Sequence, residues 1–275
     1  MGQLIDGEWT TRRGFADEDG VFRREPVSLR DRVAPEDATS GRHRLYVSYA
    51  CPWAHRCLIV RALRGLTPHV PVSVVHWFMG ADGWTFAEGE GVVPDPDGAA
   101  LLRDVYLRHD PKFTGKVTVP ILWDTQDKRI VNNESREIIR MFDTSFLGLG
   151  DPDVNLAPEP VQHTIDAVID AIYEPINNGV YRTGFARSQR AYEEAVGELF
   201  DALDHWNTVL ADQRFLVGDQ MTEADICLFT TLLRFDPVYP FHFKCSKRPI
   251  RYYYHLVALI PDVSPTPGAP DTLLC

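Results

Sequence analysis

Cys51 sits in YVSYACPWAHRCLIV, residues 46–60, where an alternating apolar run gives way to a helical pattern. A thiol there has two readings. It is a small core residue, as most lone cysteines are, or it is a thiolate held at the positive end of a helix. The first N–H groups of a helix and its dipole favour an anion. That setting brings a thiol down from about 8.5 to roughly 3.5–7.5. Pro52 suits the first helical position, where a missing N–H leaves nothing unpaired. Cys57 lies six residues on, on another face and about 9 Å along the axis, and reads as core. No second thiol therefore stands beside Cys51 at CxxC spacing. Trp53, His55 and Arg56 follow directly. His55 and Arg56 are open between tuning the thiolate and facing outward from the helix.

Two further places carry chemical signals. Pro120 interrupts the apolar strand VTVPILW, although proline cannot donate to a ladder. A cis Val119-Pro120 bond that presents the Val119 backbone to a site is one resolution. Ser135 follows IVNNE and opens a helical pattern through Ile138, Ile139 and Phe142; on position alone it reads as an N-cap. Thr222 and Asp225 read as structural capping, with Asp where a capping box usually has Glu.

Composition narrows the class. A hydrophobic fraction of 44% and a charged fraction of 24% are those of a globular chain with a real core. A net charge of −11 argues against nonspecific binding to nucleic acid or anionic membrane. No run approaches a transmembrane helix, and the opening MGQLID fits neither a signal peptide nor myristoylation. Without secretion, the sequon at Asn133-Glu134-Ser135 reads as coincidence. The five cysteines are odd in number and scattered, the usage of a reducing compartment, so a cytoplasmic location is expected. There is no CxxC, and no histidine cluster at ligand spacing, so no metal is expected.

The elements that must position these residues follow from periodicity. Residues 1–42 are polar and read as an irregular N-terminal arm. HRLYVSYA alternates as a strand. Ala54, Leu58, Ile59, Ala62, Leu63 and Leu66 then make a helical stripe, and VPVSVVHWF (70–78) is a second strand, completing a β-α-β unit. Residues 79–116 form a long insertion with few periodic features, and such loops are often functional. VTVPILW and IVN pair through the turn DTQDKR, and the helix from Ser135 follows. This gives an α/β domain over 43–150. DPDVNLAPEP (151–160) reads as a linker. From 161 to 275 the pattern is all helical, with stripes through Leu199, Leu203 and Leu210 and through Ile226, Phe229 and Leu233. It becomes atypical and proline-rich after about residue 250.

CPWAHR, DGWTF, KVTVPILWD, IVNNES, NNGVYR followed by GFA, QMTEADI and FDPVYPFHFKC together resemble the glutathionyl-hydroquinone reductases, the Xi class of glutathione transferases. The resemblance runs from about residue 40 to about residue 248. It implies the glutathione transferase fold, an α/β thioredoxin-like domain followed by an all-α domain. It implies reduction of glutathionyl-hydroquinones with glutathione as co-substrate, quinone detoxification and a homodimer. By the same resemblance Cys51 is the nucleophile and Tyr181 of NNGVYR faces the quinol. Trp84 of DGWTF lines the glutathione site, and Val119 and Pro120 meet the cysteinyl part of glutathione. Glu134 and Ser135 hold its γ-glutamyl end. A thioltransferase or dehydroascorbate reductase would use the same cysteine but leave the aromatic motifs unexplained; a non-catalytic ligand-binding homologue would not need Cys51. The family's tail adds a tyrosine pair near the substrate. RYYYHLVALIPDVSPTPGAPDTLLC does not match it, so a weakened substrate wall and subunit contact are expected there.

Overall fold

The structure, a computed structural model, describes residues 2–11 and 16–263. Among these, one compact unit takes 2–11 and 26–154 and a second takes 16–25 and 155–263.

The first unit contains β1 (Gly2–Ile5), β2 (Glu8–Thr11), β3 (His43–Val47), α1 (Pro52–Leu63), β4 (Val72–Val74), α2 (Leu102–His109), β5 (Gly115–Lys116), β6 (Ile121–Asp124), β7 (Arg129–Asn132) and α3 (Ser135–Thr144). Its main sheet has the order β4-β3-β6-β7. β3 and β4 are parallel, and β6 is antiparallel to both β3 and β7. Pairing sets Leu45 against Val72 and Leu122, all within an apolar sheet. α1 and α3 pack on each other. α1 is buried almost throughout, Pro52 and Ala54 through Val60, rather than along the single stripe expected.

Three expectations are corrected here. Residues 1–42 are not irregular throughout, because β1 and β2 form a hairpin that β5 extends into a second sheet. Asp6 and Gly7 close it at φ 48° and 83°, the two positive values of a type I′ turn, for which Asp-Gly is a favoured pair. The second strand is shorter than 70–78. Only Val72–Val74 belongs to it, and Trp77 and Phe78 beyond are exposed, their rings in contact with each other. The insertion is not featureless, since it holds α2, which packs against β7. Gly83 in DGWTF has φ +76°, and a Cβ there would stand 2.9 Å from the Trp9 ring. Trp9 Nε1 also donates to the Ala81 carbonyl at 3.1 Å. The hairpin therefore buttresses the insertion at a position only glycine fits.

The second unit is helical: α4 (Gln162–Ile172), a π-helical turn at Tyr173–Asn177, α5 (Gly179–Phe185), α6 (Gln189–Asp212), α7 (Glu223–Leu232), α8 (Phe235–His242) and α9 (Tyr254–Val263). α7 is buried along its whole length and packs on α4 and α9, while α6 packs on α5 and α9. Thr222 and Asp225 form the reciprocal cap, the Asp225 carboxylate accepting from Thr222 N at 2.8 Å and from Leu216 N at 2.7 Å. Residues 16–25 of the expected N-terminal arm belong to this unit, where Gly20 meets the start of α6 through Arg187. The end expected to lack helical periodicity is helical over Tyr254–Val263; residues 264–275, with the rest of the atypical tail, lie outside the described residues.

Candidate active site

Cys51 is the N-cap of α1. It is extended (φ −88°, ψ 117°), Pro52 occupies the first helical position, and the Cys51 carbonyl accepts from His55 N at 3.0 Å. A turn in which Cys51 N donates to Ser48 O at 3.0 Å carries the chain from β3 into this cap. The strand end and the helix start thus fix the thiol from both sides. The residue is half-buried, and the first N–H groups of α1, which lack intrahelical acceptors, surround it with positive potential. Cys57 is fully buried at the α1–α3 contact, its Sγ 3.8 Å from Ser135 O.

The Val119-Pro120 peptide is cis. The Val119 carbonyl oxygen stands 3.7 Å from Cys51 Sγ. Val119 N–H has no hydrogen-bond partner among the described residues, so Val119 keeps an unused donor on the same residue whose carbonyl meets the thiol.

The start of α3 is capped by Glu134, not Ser135. Glu134 is extended (φ −105°, ψ 114°) and its Oε1 accepts from Arg136 N at 3.2 Å, with the Ser135 hydroxyl at 3.4 Å. Ser135 is already the first helical residue, which corrects the N-cap reading. Asn132 Oδ1 accepts from Glu134 N at 2.7 Å and sets the turn into the helix. The Glu134 side chain keeps its second oxygen outside these bonds.

His55 and Arg56 do not face outward; they are 1% and 2% exposed. Arg56 stacks over half-buried Trp53 at 4.5 Å and reaches the Ser135 hydroxyl at 3.4 Å. Cys51 with Val119, and Arg56 with Trp53 and Ser135, thus form two contact groups within one unit. Trp84 is half-buried in the insertion, where its carbonyl accepts from Leu102 N at 2.9 Å; it takes no part in those hydrogen bonds. Tyr181 belongs to the second unit, half-buried on α5, with the Phe243 ring at 5.3 Å. The Arg24 guanidinium lies over its ring at 4.7 Å, and Arg24 Nε donates to Asn178 Oδ1 at 2.8 Å. Arg24 was not singled out from the sequence, for nothing in a polar arm marks one arginine above its neighbours.

Among the described residues no cluster of His, Cys, Asp or Glu could hold a metal ion, and no helix is long and apolar enough to cross a membrane.

Residues 50–145 match the family model described as glutathione S-transferase, N-terminal domain, and residues 189–254 the one described as glutathione S-transferase, C-terminal domain. Glutathionyl-hydroquinone reductase YqjG of Escherichia coli strain K12 is 45% identical, over 99% of this chain and 88% of its own. Glutathionyl-hydroquinone reductase PcpF of Sphingobium chlorophenolicum is 48% identical, over 94% and 84%. A Xi-class transferase from Natrialba magadii superposes with a TM-score of 0.93 at 49% identity, over 99% of this chain and 85% of that one. The chain belongs to the Xi class of glutathione transferases. The glutathione-bound structure of YqjG is similar at a TM-score of 0.87 and 44% identity, covering 99% and 87%. In this Xi-class chain Cys51, Trp84, Val119, Glu134 and Ser135 all fall within the span of the N-terminal model, and Tyr181 falls between the two matched spans.

Proposed function

We propose that this Xi-class chain reduces glutathionyl-hydroquinones through Cys51, with glutathione as co-substrate. The observation that carries the reading is the place of the thiol: half-exposed at the cap of α1, beside the Val119 carbonyl, while Cys57 is walled off in the core. The similarity to two proteins named for this reaction supports it.

In the first step the Cys51 thiolate attacks the sulfur of the conjugate. An S–S bond forms, the aryl C–S bond breaks, and its electron pair goes to the aromatic carbon, which takes up a proton and leaves as hydroquinone. In the second step a glutathione thiolate attacks the mixed disulfide, frees Cys51 and forms oxidised glutathione. A second molecule is needed because Cys57 is on another face. Val119 supplies an unused N–H for the cysteinyl backbone. Glu134 offers its free oxygen to the ammonium, and Ser135 with the α3 N-terminus receives the γ-glutamyl carboxylate. Tyr181 takes its role from the family motif: its phenol hydrogen-bonds the quinol oxygen and assists departure. Trp84 lines the glutathione site by the same resemblance. The reading is completed by a cytoplasmic homodimer serving quinone detoxification, checked by sedimentation and fractionation.

The deciding experiment is turnover of a glutathionyl-hydroquinone with free glutathione, for wild type and Cys51→Ala. Product formation that survives in Cys51→Ala would sink the mechanism. Turnover of mixed disulfides or dehydroascorbate with none of the aromatic conjugate would select the thioltransferase reading.

A further inference from the structure

Val119-Pro120 and Glu134-Ser135, the two segments proposed to hold glutathione, come from different parts of the chain and share no hydrogen bond with each other. Both are tied instead to one oxygen atom. Tyr106 Oη donates to the Thr118 carbonyl at 3.0 Å and accepts from Thr118 N at 3.3 Å and from Asn133 Nδ2 at 3.1 Å; the Thr118 hydroxyl is also within reach at 3.4 Å. Thr118 immediately precedes Val119, and Asn133 immediately precedes Glu134. A phenol offers one O–H and two lone pairs, and these three bonds use them all. Asn133 Oδ1 is buried without a partner, so the orientation of that amide is set by Tyr106.

The phenol is itself held rigidly. Tyr106 is fully buried on α2, with the Phe113 ring at 5.0 Å. Two residues on, Arg108 pairs with Asp95 at 3.1 Å, and Asp95 accepts from Tyr46 Oη at 2.6 Å. Tyr46 lies on β3, the strand that leads to Cys51. The insertion is therefore clamped to the same strand that delivers the thiol.

We infer that Tyr106 is a positioning residue for glutathione: its hydroxyl sets the spacing between the Val119 amide and the start of α3, so that the cysteinyl and γ-glutamyl ends of the tripeptide are read at a fixed separation. The inference rests on the proposed reductase reading. It gives the long insertion a part in binding, through a residue that does not itself touch the ligand.

The test is Tyr106→Phe, which removes one oxygen and keeps the ring, with glutathione binding followed by calorimetry and turnover followed at varied glutathione. Losing one or two net hydrogen bonds that hold the site corresponds to a rise in both Kd and KM for glutathione of roughly ten-fold. Turnover at saturating glutathione and the rate at which iodoacetamide alkylates Cys51 stay near wild type. Asn133→Ala alone raises KM, and adds less in the Tyr106→Phe background than by itself, because both cut the same link. If Tyr106→Phe does not fold, Asn133→Ala carries the test, and unchanged affinity there overturns the inference. A wild type that binds no glutathione overturns the inference and the reductase reading together. Wild-type binding with an unchanged Kd in Tyr106→Phe overturns the inference alone, as does a Tyr106→Phe that loses stability and turnover with affinity unmoved.

Discussion

Arg56 Nη1 lies 3.4 Å from Ser135 Oγ, tying the second turn of α1 to the first residue of α3. The guanidinium is buried and stacked on Trp53, beside the α3 N-terminus proposed above to receive the γ-glutamyl carboxylate. A fixed cation and a helix dipole there act in the same direction.

Arg56→Lys keeps the charge but loses the planar stack and the reach of the fork. The expected result is weaker glutathione binding, measured by calorimetry, with Cys51 still alkylated at the wild-type rate. Unchanged affinity would separate Arg56 from the ligand and leave it a packing residue.

Cys51→Ala should lose turnover by several orders of magnitude while still binding glutathione. Cys57→Ala should remain active, since its thiol is sealed between α1 and α3. Mass spectrometry of enzyme trapped with the conjugate should place the glutathione adduct on Cys51; an adduct on Cys57 would contradict the assignment.

Glu134 caps α3 and is proposed to meet the ammonium, and two substitutions separate these roles. Glu134→Ala removes the capping oxygen that accepts from Arg136 N, at a cost of about 0.5–2 kcal/mol of stability. It also removes the carboxylate proposed for the ammonium, at roughly 1.5–3 kcal/mol of binding. Glu134→Gln keeps a capping oxygen and loses the charge. Its melting temperature should stay near wild type while its Kd for glutathione rises. Equal Kd values for Glu134→Gln and wild type would remove the ammonium role.

Tyr181→Phe should lower turnover of the aromatic conjugate by roughly 10²-fold or more, the usual scale for a lost proton-donating group, with glutathione affinity retained. Arg24→Met removes the cation over the ring while keeping a long side chain. A smaller loss is expected, and none further in the Tyr181→Phe background, because the Arg24 effect would run through the phenol. Additive losses in the double variant would show that Arg24 acts elsewhere.

Asp95 supplies a pH dependence. Burial raises its carboxyl, but hydrogen bonds from Tyr46, Ala99 and Arg108 outweigh it and hold the group below its ordinary 3.8. A carboxylate depressed by folding adds stability above its unfolded value and loses it as pH falls through the folded one. The melting temperature should therefore fall with acidification below about pH 4 more steeply in wild type than in Asp95→Asn. Parallel curves would mean that another group governs acid unfolding.

Much of the fold was legible where period changes sharply. The alternation of HRLYVSYA, the helical spacing after Pro52 and the Thr222–Asp225 pair mark elements that exist. The β1–β2 hairpin was overlooked although Asp6-Gly7 is a strong local turn signal; the surrounding polar residues masked two strands of four residues each. α2 escaped because eight residues inside a glycine-rich stretch give too few turns for a period to show. Ser135 was placed one position early in the helix-capping frame because a glutamate is a less usual cap than serine. The burial of His55 and Arg56 was not legible at all: α1 packs on α3, and its residues meet neighbours distant in sequence, as Arg56 and Cys57 meet Ser135. The Tyr106 hub depends on positions 12 and 27 residues away meeting one oxygen, a coincidence no local pattern encodes.

The π turn at Tyr173–Asn177 has a consequence for how this chain tolerates insertions and deletions. A π turn spends one residue more than an α-helix needs to advance the same way. Removing Pro175, which has no N–H to give an α-helical bond, would let α4 run on as a regular helix into α5, and α5 would rotate by about 100° around the axis. The Tyr181 ring would leave its place beneath Arg24 and against Phe243 while the helix itself stayed intact. Deletion of Pro175 should accordingly re-aim the Tyr181 ring wherever the variant folds, a change obtained by altering phase rather than composition.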